Sequence, residues 1–209
     1  MIGEQYATFE QEHATAEFGM WVFLATEVML FGGLFTVYTV YRTLYSVGFA
    51  EGSRHLDLLL GGINTGVLLV SSLTMALAVH AAQLGERRQL VRLLIVTAML
   101  GLVFMLIKGV EYSKHFADGS VPRLAWEYAG PNPAQVQLFF LAYFALTGLH
   151  AVHLTIAILV VAVMAFMAGR GAFPAQRHTP VEMAGLYWHF VDMIWIFLLP
   201  LLYLFGLNR

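Results

Sequence analysis

The sequence predicts an all-α integral membrane protein, with five transmembrane helices in one bundle. Two observations carry this. Of the 209 residues, 59% are hydrophobic and 11% charged, and the mean hydropathy is +0.73, a balance that belongs to membrane proteins rather than soluble domains. Five apolar stretches, near 18–42, 56–84, 90–113, 135–168 and 181–206, each reach the roughly 20 residues needed to cross a bilayer. No charged linker separates them, so residues 1–209 read as a single transmembrane domain. A net charge of −2 with no basic face argues against nucleic acid as a partner. The absence of cysteine excludes disulfides, thiolate metal sites and iron–sulfur clusters.

The polar, acidic segment up to Glu17 lacks the basic start and apolar centre of a signal peptide, so the first apolar stretch is expected to act as its own insertion signal. Within it, Glu27 is the only acid or base between Phe18 and Tyr41. A carboxylate at that depth is costly when ionised, so it must be neutral, paired or next to water, and it is a functional-site candidate by default. Its helical neighbours are Met20, Phe23, Leu24, Leu30, Phe31 and Leu34, with no cation among them, so any partner must come from another helix. The alternative is a purely structural acid bonded to such a neighbour. Ala25, Gly32 and Thr36 fall on the opposite side, where a second helix is expected to approach closely.

The second stretch follows Asp57 and carries Gly62 and Gly66, a Gly-x-x-x-Gly pair expected to pack against another helix, within this chain or in a partner. Asn64, Ser71, Ser72 and Thr74 suit packing by hydrogen bonds, and His80 and Gln83 lie near its end. The short connection through Arg87 and Arg88, with Arg92 just after it, is dense in positive charge and is placed in the cytoplasm. The total count is nearly even. Arg87, Arg88, Arg92, Arg170 and Arg177 fall on this side, against Arg42, Arg54, Lys108, Lys114, Arg123 and Arg209 on the other. With five spans, the N-terminus is then cytoplasmic and the C-terminus periplasmic.

The third stretch ends with Lys108 and Glu111, three apart and able to pair, with Lys108 also able to snorkel toward the interface. A longer outer connection, with Trp126, Tyr128, Pro131 and Pro133, suits a membrane surface. The fourth stretch carries His150 and His153 on one face. The fifth carries His189 and Asp192, with Pro200 expected to bend the helix near Ile196. By depth alone His153 and His189 could face each other as haem ligands. No second pair accompanies them, and no His-Asp-Glu cluster suits a non-haem metal, so no metal site is expected from these residues.

Several of these runs resemble one known family. The run from Gly19 through Glu27 to Val28, Gly-Met-Trp-Val-Phe-Leu-Ala-Thr-Glu-Val, resembles the G-M-x-L-F-I-x-S-E-V run of subunit III of haem–copper terminal oxidases. The Asn64-Thr-Gly-Val-Leu-Leu-Val-Ser71 run resembles its N-T-S-V-L-L-x-S. Glu111-Tyr112, Thr147-Gly-Leu-His150-Ala-Val-His153 and Tyr187-Trp-His-Phe-Val-Asp192-Met-Ile-Trp195 match its later motifs in the same order. The likeness is to the five-helix bacterial form, without the first two helices of the seven-helix form. It implies an accessory subunit that carries no haem and no copper. Such a subunit packs on catalytic subunit I, sits with subunit II and other oxidase subunits, holds phospholipids in a cleft, and supports proton uptake and sustained turnover.

The resemblance also implies a place in the bacterial inner membrane, in a proton-pumping complex that reduces oxygen with electrons from cytochrome c or quinol, the haems and copper lying in partner subunits. The family's intramembrane glutamate maps onto Glu27 and its second helix-borne histidine onto His153, so a Glu27–His153 hydrogen bond beside a lipid-facing cleft is expected. Asn64, His80, Glu111, His150, His189 and Asp192 are the other polar motif residues. Three other readings stay open: a related accessory subunit of a nitric oxide reductase, a stand-alone proton-coupled transporter, whose inverted repeats and broken helices are not seen, and a haem b cytochrome.

Overall fold

The structure is a computed structural model that describes residues 9–122, 124–174 and 178–204. Its elements are α1 (Phe9–Leu44), α2 (Ser46–Arg54), α3 (Leu58–Gln83), α4 (Arg87–Ala117), β1 (Ser120–Val121), β2 (Ala125–Trp126), α5 (Pro133–Gly169) and α6 (Thr179–Tyr203). Among the described residues, five helices are long and apolar enough to cross a membrane, and they make this an all-α, multi-pass membrane protein. Arg123, Arg177 and Arg209, used in the charge count, and positions 205–206 of the last stretch lie outside the described residues.

The helix ends follow from local chemistry. The α1 helix begins well inside the polar segment, because Gln11, Glu12, Ala14, Ala16 and Glu17 are good helix formers and need no membrane to satisfy their backbone. Asp57 caps α3, its Oδ1 accepting from the backbone N–H of Leu59 and Leu60 at 3.1 Å each. Gly85 follows α3 with φ +72, a left-handed turn that lets the chain reverse into α4. Pro133 opens α5 where its missing N–H costs nothing. The α6 helix runs on through Pro200.

Helices α3 to α6 form the packed body, with Met75, Leu94, Phe104, Leu154, Trp188 and Leu198 fully buried between them. The α1 helix lies at the edge, against α6 and part of α5, with Leu24, Phe31 and Tyr38 turned inward. The sequence reading left 43–55 as a connection; the structure makes most of it the short helix α2, which packs on α5. Gly48 and Gly52, one turn apart, permit this contact. A Cβ at Gly48 would sit 2.3 Å from Gln135 Cβ, and one at Gly52 2.4 Å from Phe139 Cδ1. Ser53 Oγ and Tyr38 Oη then donate to Leu202 O (2.7 Å) and Leu201 O (3.0 Å), carbonyls that the end of α6 leaves free.

The two small-residue faces find no partner helix among the described residues of this chain. A Cβ at Gly62, Gly66 or Gly32 would meet nothing within 4 Å, and Ala25 and Thr36 are exposed. Among the described residues no helix covers either small-residue face, so a helix packed there would have to come from a partner. The reason is topological: α3 turns Asn64, Leu68 and Ser71 toward the body, which leaves Gly62 and Gly66 outside.

Candidate functional site: an acid–histidine pair on a membrane groove

Glu27 stands halfway along α1 and His153 halfway along α5. His153 Nε2 lies 2.9 Å from Glu27 Oε2, the side chains being 10% and 15% exposed. His153 Nδ1 lies 2.8 Å from Leu149 O, one turn back on its own helix. A carbonyl can only accept, so Nδ1 carries a hydrogen. One further proton must then lie between Nε2 and Oε2, because two bare lone pairs at 2.9 Å would repel. Whichever atom holds it, the pair is neutral overall, and that is the condition for placing it at this depth.

The pair is held from both sides. The Phe31 ring meets the imidazole edge-on at 5.2 Å, and Tyr187 Oη donates to His153 O at 3.3 Å. Glu27 Oε1 has no hydrogen-bond partner among the described residues. It opens toward a groove of about 600 Å³ between α1, α5 and α6, otherwise walled by apolar residues such as Met20, Phe23, Ile156, Val160, Met164 and Met183 together with Tyr187. The site can therefore hold one proton and offer one free carboxyl oxygen to an apolar groove.

The other singled-out residues do not join this pair. Lys108 does not snorkel: it is 5% exposed and tied down by three hydrogen bonds, to Glu111 Oε2 (3.0 Å), Tyr143 Oη (3.0 Å) and Tyr203 Oη (2.9 Å). Tyr143 and Tyr203 in turn donate to Glu111 Oε1 at 2.7 and 2.5 Å. The ammonium uses all three hydrogens and the carboxylate both oxygens, so the cluster is closed. His150, one turn from His153, points instead to Phe104 and Trp195, with neither ring nitrogen bonded. His189 pairs with Ser72 Oγ at 2.7 Å and lines a second groove on the other side of α1, so it does not face His153 as a haem partner would. Asp192 is buried beside Ser72 and Trp188, short of hydrogen-bond geometry. Asn64 Nδ2 donates to Phe104 O at 3.4 Å, and His80 is exposed. Among the described residues no three His, Asp or Glu side chains converge as a metal site would require.

Sequence reasoning missed Tyr143, Tyr203 and Tyr187. A buried tyrosine hydroxyl needs a partner, and that was the available signal, but only the fold says which partner.

The family model described as cytochrome c oxidase subunit III matches residues 5–207. The chain belongs to that family. Cytochrome c oxidase subunit 3 of Synechocystis sp. is 33% identical over 188 residues, covering 90% of this chain and 74% of that protein. The cytochrome bo(3) ubiquinol oxidase subunit 3 of Pseudomonas aeruginosa is 28% identical over 205 residues, covering 98% and 92%. The quinol oxidase subunit 3 of Bacillus subtilis is 29% identical over 210 residues, covering 99% and 96%. Cytochrome c oxidase subunit III relatives thus include both cytochrome c and quinol oxidase components, over nearly the full chain.

Proposed function

We propose that this chain is the cofactor-free accessory subunit of a proton-pumping terminal oxidase in a bacterial inner membrane. It packs on subunit I, beside subunit II, while the haems and copper lie in its partners. Its α4 start faces the cytoplasm. Its role is to keep the partner supplied with protons and intact during turnover, with phospholipid held in the groove beside Glu27. The observation that carries this reading is the neutral, one-proton Glu27–His153 pair whose free oxygen opens on an apolar groove. A structural acid would have both oxygens satisfied, as Glu111 does. The relatives' names supply the oxidase; the electron donor stays either cytochrome c or quinol, since both kinds occur among them.

The test is Glu27→Gln in the assembled complex. The amide can still donate to His153 Nε2, so assembly and initial oxygen reduction are expected to survive. The rate should then decay earlier during sustained turnover. Immediate loss of all activity in a fully assembled, fully haem-loaded variant would reject the accessory role. Decay identical to wild type would reject the part given to Glu27.

A further inference from the structure

At the end of the bundle where α4 begins and α5 stops, Arg87, Arg88 and Arg92 line a groove of about 410 Å³ with Val91 and Gly169. Arg87 belongs to the fold. Its Nε donates to Ala168 O at 3.0 Å and its Nη2 to Gly169 O, satisfying carbonyls that the last turn of α5 leaves open. Arg88 and Arg92 are different. Both are exposed, neither has a hydrogen bond or ion pair among the described residues, and they stand four apart on one face of α4. That face continues as Ile95, Met99, Leu102 and Leu106, three or four residues apart and all exposed.

We propose that this groove binds an anionic phospholipid, with the phosphodiester on the Arg88 and Arg92 guanidiniums and an acyl chain along the apolar stripe below. The charge fits: two unpaired guanidiniums present planar donor forks suited to a phosphate. Basic pockets between helices at the membrane surface are where anionic headgroups settle. The stripe decides for a lipid over a free phosphate, because an inorganic ion would use the arginines alone and leave Ile95 to Leu106 without a role. The site shares no lining residue with the Glu27 groove and rests only on α4 crossing the membrane, so it stands or falls independently of the accessory-subunit reading.

The test uses the full chain, in the complex with which it purifies, in phosphatidylcholine nanodiscs. These contain a trace of phosphatidylglycerol with a diazirine in its acyl chain. Label on the peptide carrying Ile95 to Leu106 is expected to exceed that from a matched phosphatidylcholine probe. Arg88→Gln with Arg92→Gln should cut it on the order of 30-fold, and Arg88→Lys with Arg92→Lys should keep most of it. Excess inorganic phosphate should leave it in place. Equal labelling by the two probes, or label unchanged in the glutamine double variant, overturns the proposal. So does displacement of the probe by inorganic phosphate, which would mean an anion site with no lipid component. Neither arginine makes a hydrogen bond or ion pair among the described residues, so the glutamine variant should melt like wild type in phosphatidylcholine alone; earlier melting would assign the arginines a structural role and overturn the lipid site.

Discussion

Breaking the closed cluster at Lys108 and Glu111 should show how a buried charge pair is tolerated inside this bundle. Lys108→Met removes the ammonium and its three hydrogen bonds and leaves Glu111, 2% exposed, with only the two tyrosine donors. Glu111→Leu leaves an ammonium, 6% exposed at its side chain, facing two hydroxyls that have lost their own acceptor. Each single change strands one buried charge and should cost about 3–5 kcal/mol. The double variant strands none. Tyr143 and Tyr203 can then bond to each other, so the residual cost should be about 1–3 kcal/mol, that of an imperfectly satisfied hydroxyl. The singles should thus sum to far more than the double, with a coupling of roughly 3 kcal/mol or more. An ordinary interhelical hydrogen bond in a bilayer couples by about 0.6 kcal/mol on average, so the measurement separates a charged, closed cluster from neutral packing contacts. The assay is equilibrium unfolding of the four proteins in one detergent at fixed lipid content and pH. Additive singles, or Lys108→Met as stable as wild type, would refute the reasoning.

Three further outcomes follow from the same geometry. An apolar carbodiimide should label Glu27, whose Oε1 is open to the groove, and spare Glu111, whose oxygens are both bonded; peptide mass spectrometry reporting the reverse would contradict the contrast. Gly52→Ala should push α2 off α5, since the new Cβ meets the Phe139 ring at 2.4 Å, at a cost of about 1–3 kcal/mol, whereas Gly62→Ala, whose Cβ meets nothing, should raise the stability of the isolated chain by about 0.5–1 kcal/mol; unfolding curves for the two variants check the difference. Reporter fusions should place Gln89 in the cytoplasm and Glu127 in the periplasm, and opposite signals would reverse the proposed orientation.

The spanning helices were legible because each is an uninterrupted apolar run, and a carboxylate inside such a run announces itself without any fold. Glu27 needed no structure to be singled out; its partner was reached through the resemblance, and the bond length came only from the fold. What the sequence hid was of two kinds. The α2 helix, Ser-Val-Gly-Phe-Ala-Glu-Gly-Ser-Arg, is short and rich in glycine, so its helicity comes from packing against α5 rather than from propensity. The same holds for its glycines. Gly48–Gly52 and Gly62–Gly66 are identical motifs on the page, yet one touches Gln135 and Phe139 and the other touches nothing. Spacing alone gives a face, and only the arrangement of neighbouring helices says whether the face is covered. The tyrosines of the Lys108 cluster were hidden for the same reason, because Tyr143 and Tyr203 come from α5 and α6, far along the chain from Glu111.

Among the described residues, two acid–base pairs have both side chains 15% exposed or less, Glu27–His153 and Lys108–Glu111, and the difference between them is what directs attention to one. Lys108 and Glu111 are joined on a single helix, and the hydrogens of the ammonium and of two tyrosines give every oxygen of the cluster at least one donor. Such a network gains nothing from a further ligand or proton, so it can specify how α4, α5 and α6 meet and little else. Glu27 and His153 come from different helices, share one proton, and leave an oxygen facing a groove. The helix that carries Glu27 is also the least embedded in the body, with Phe18, Trp21, Val28 and Met29 exposed on its outer side. A small shift of α1 would lengthen the Glu27–His153 bond while leaving the Lys108 cluster untouched, because α1 contributes no atom to that cluster. Of the two pairs, any partner or lipid that leans on α1 therefore acts on the open one.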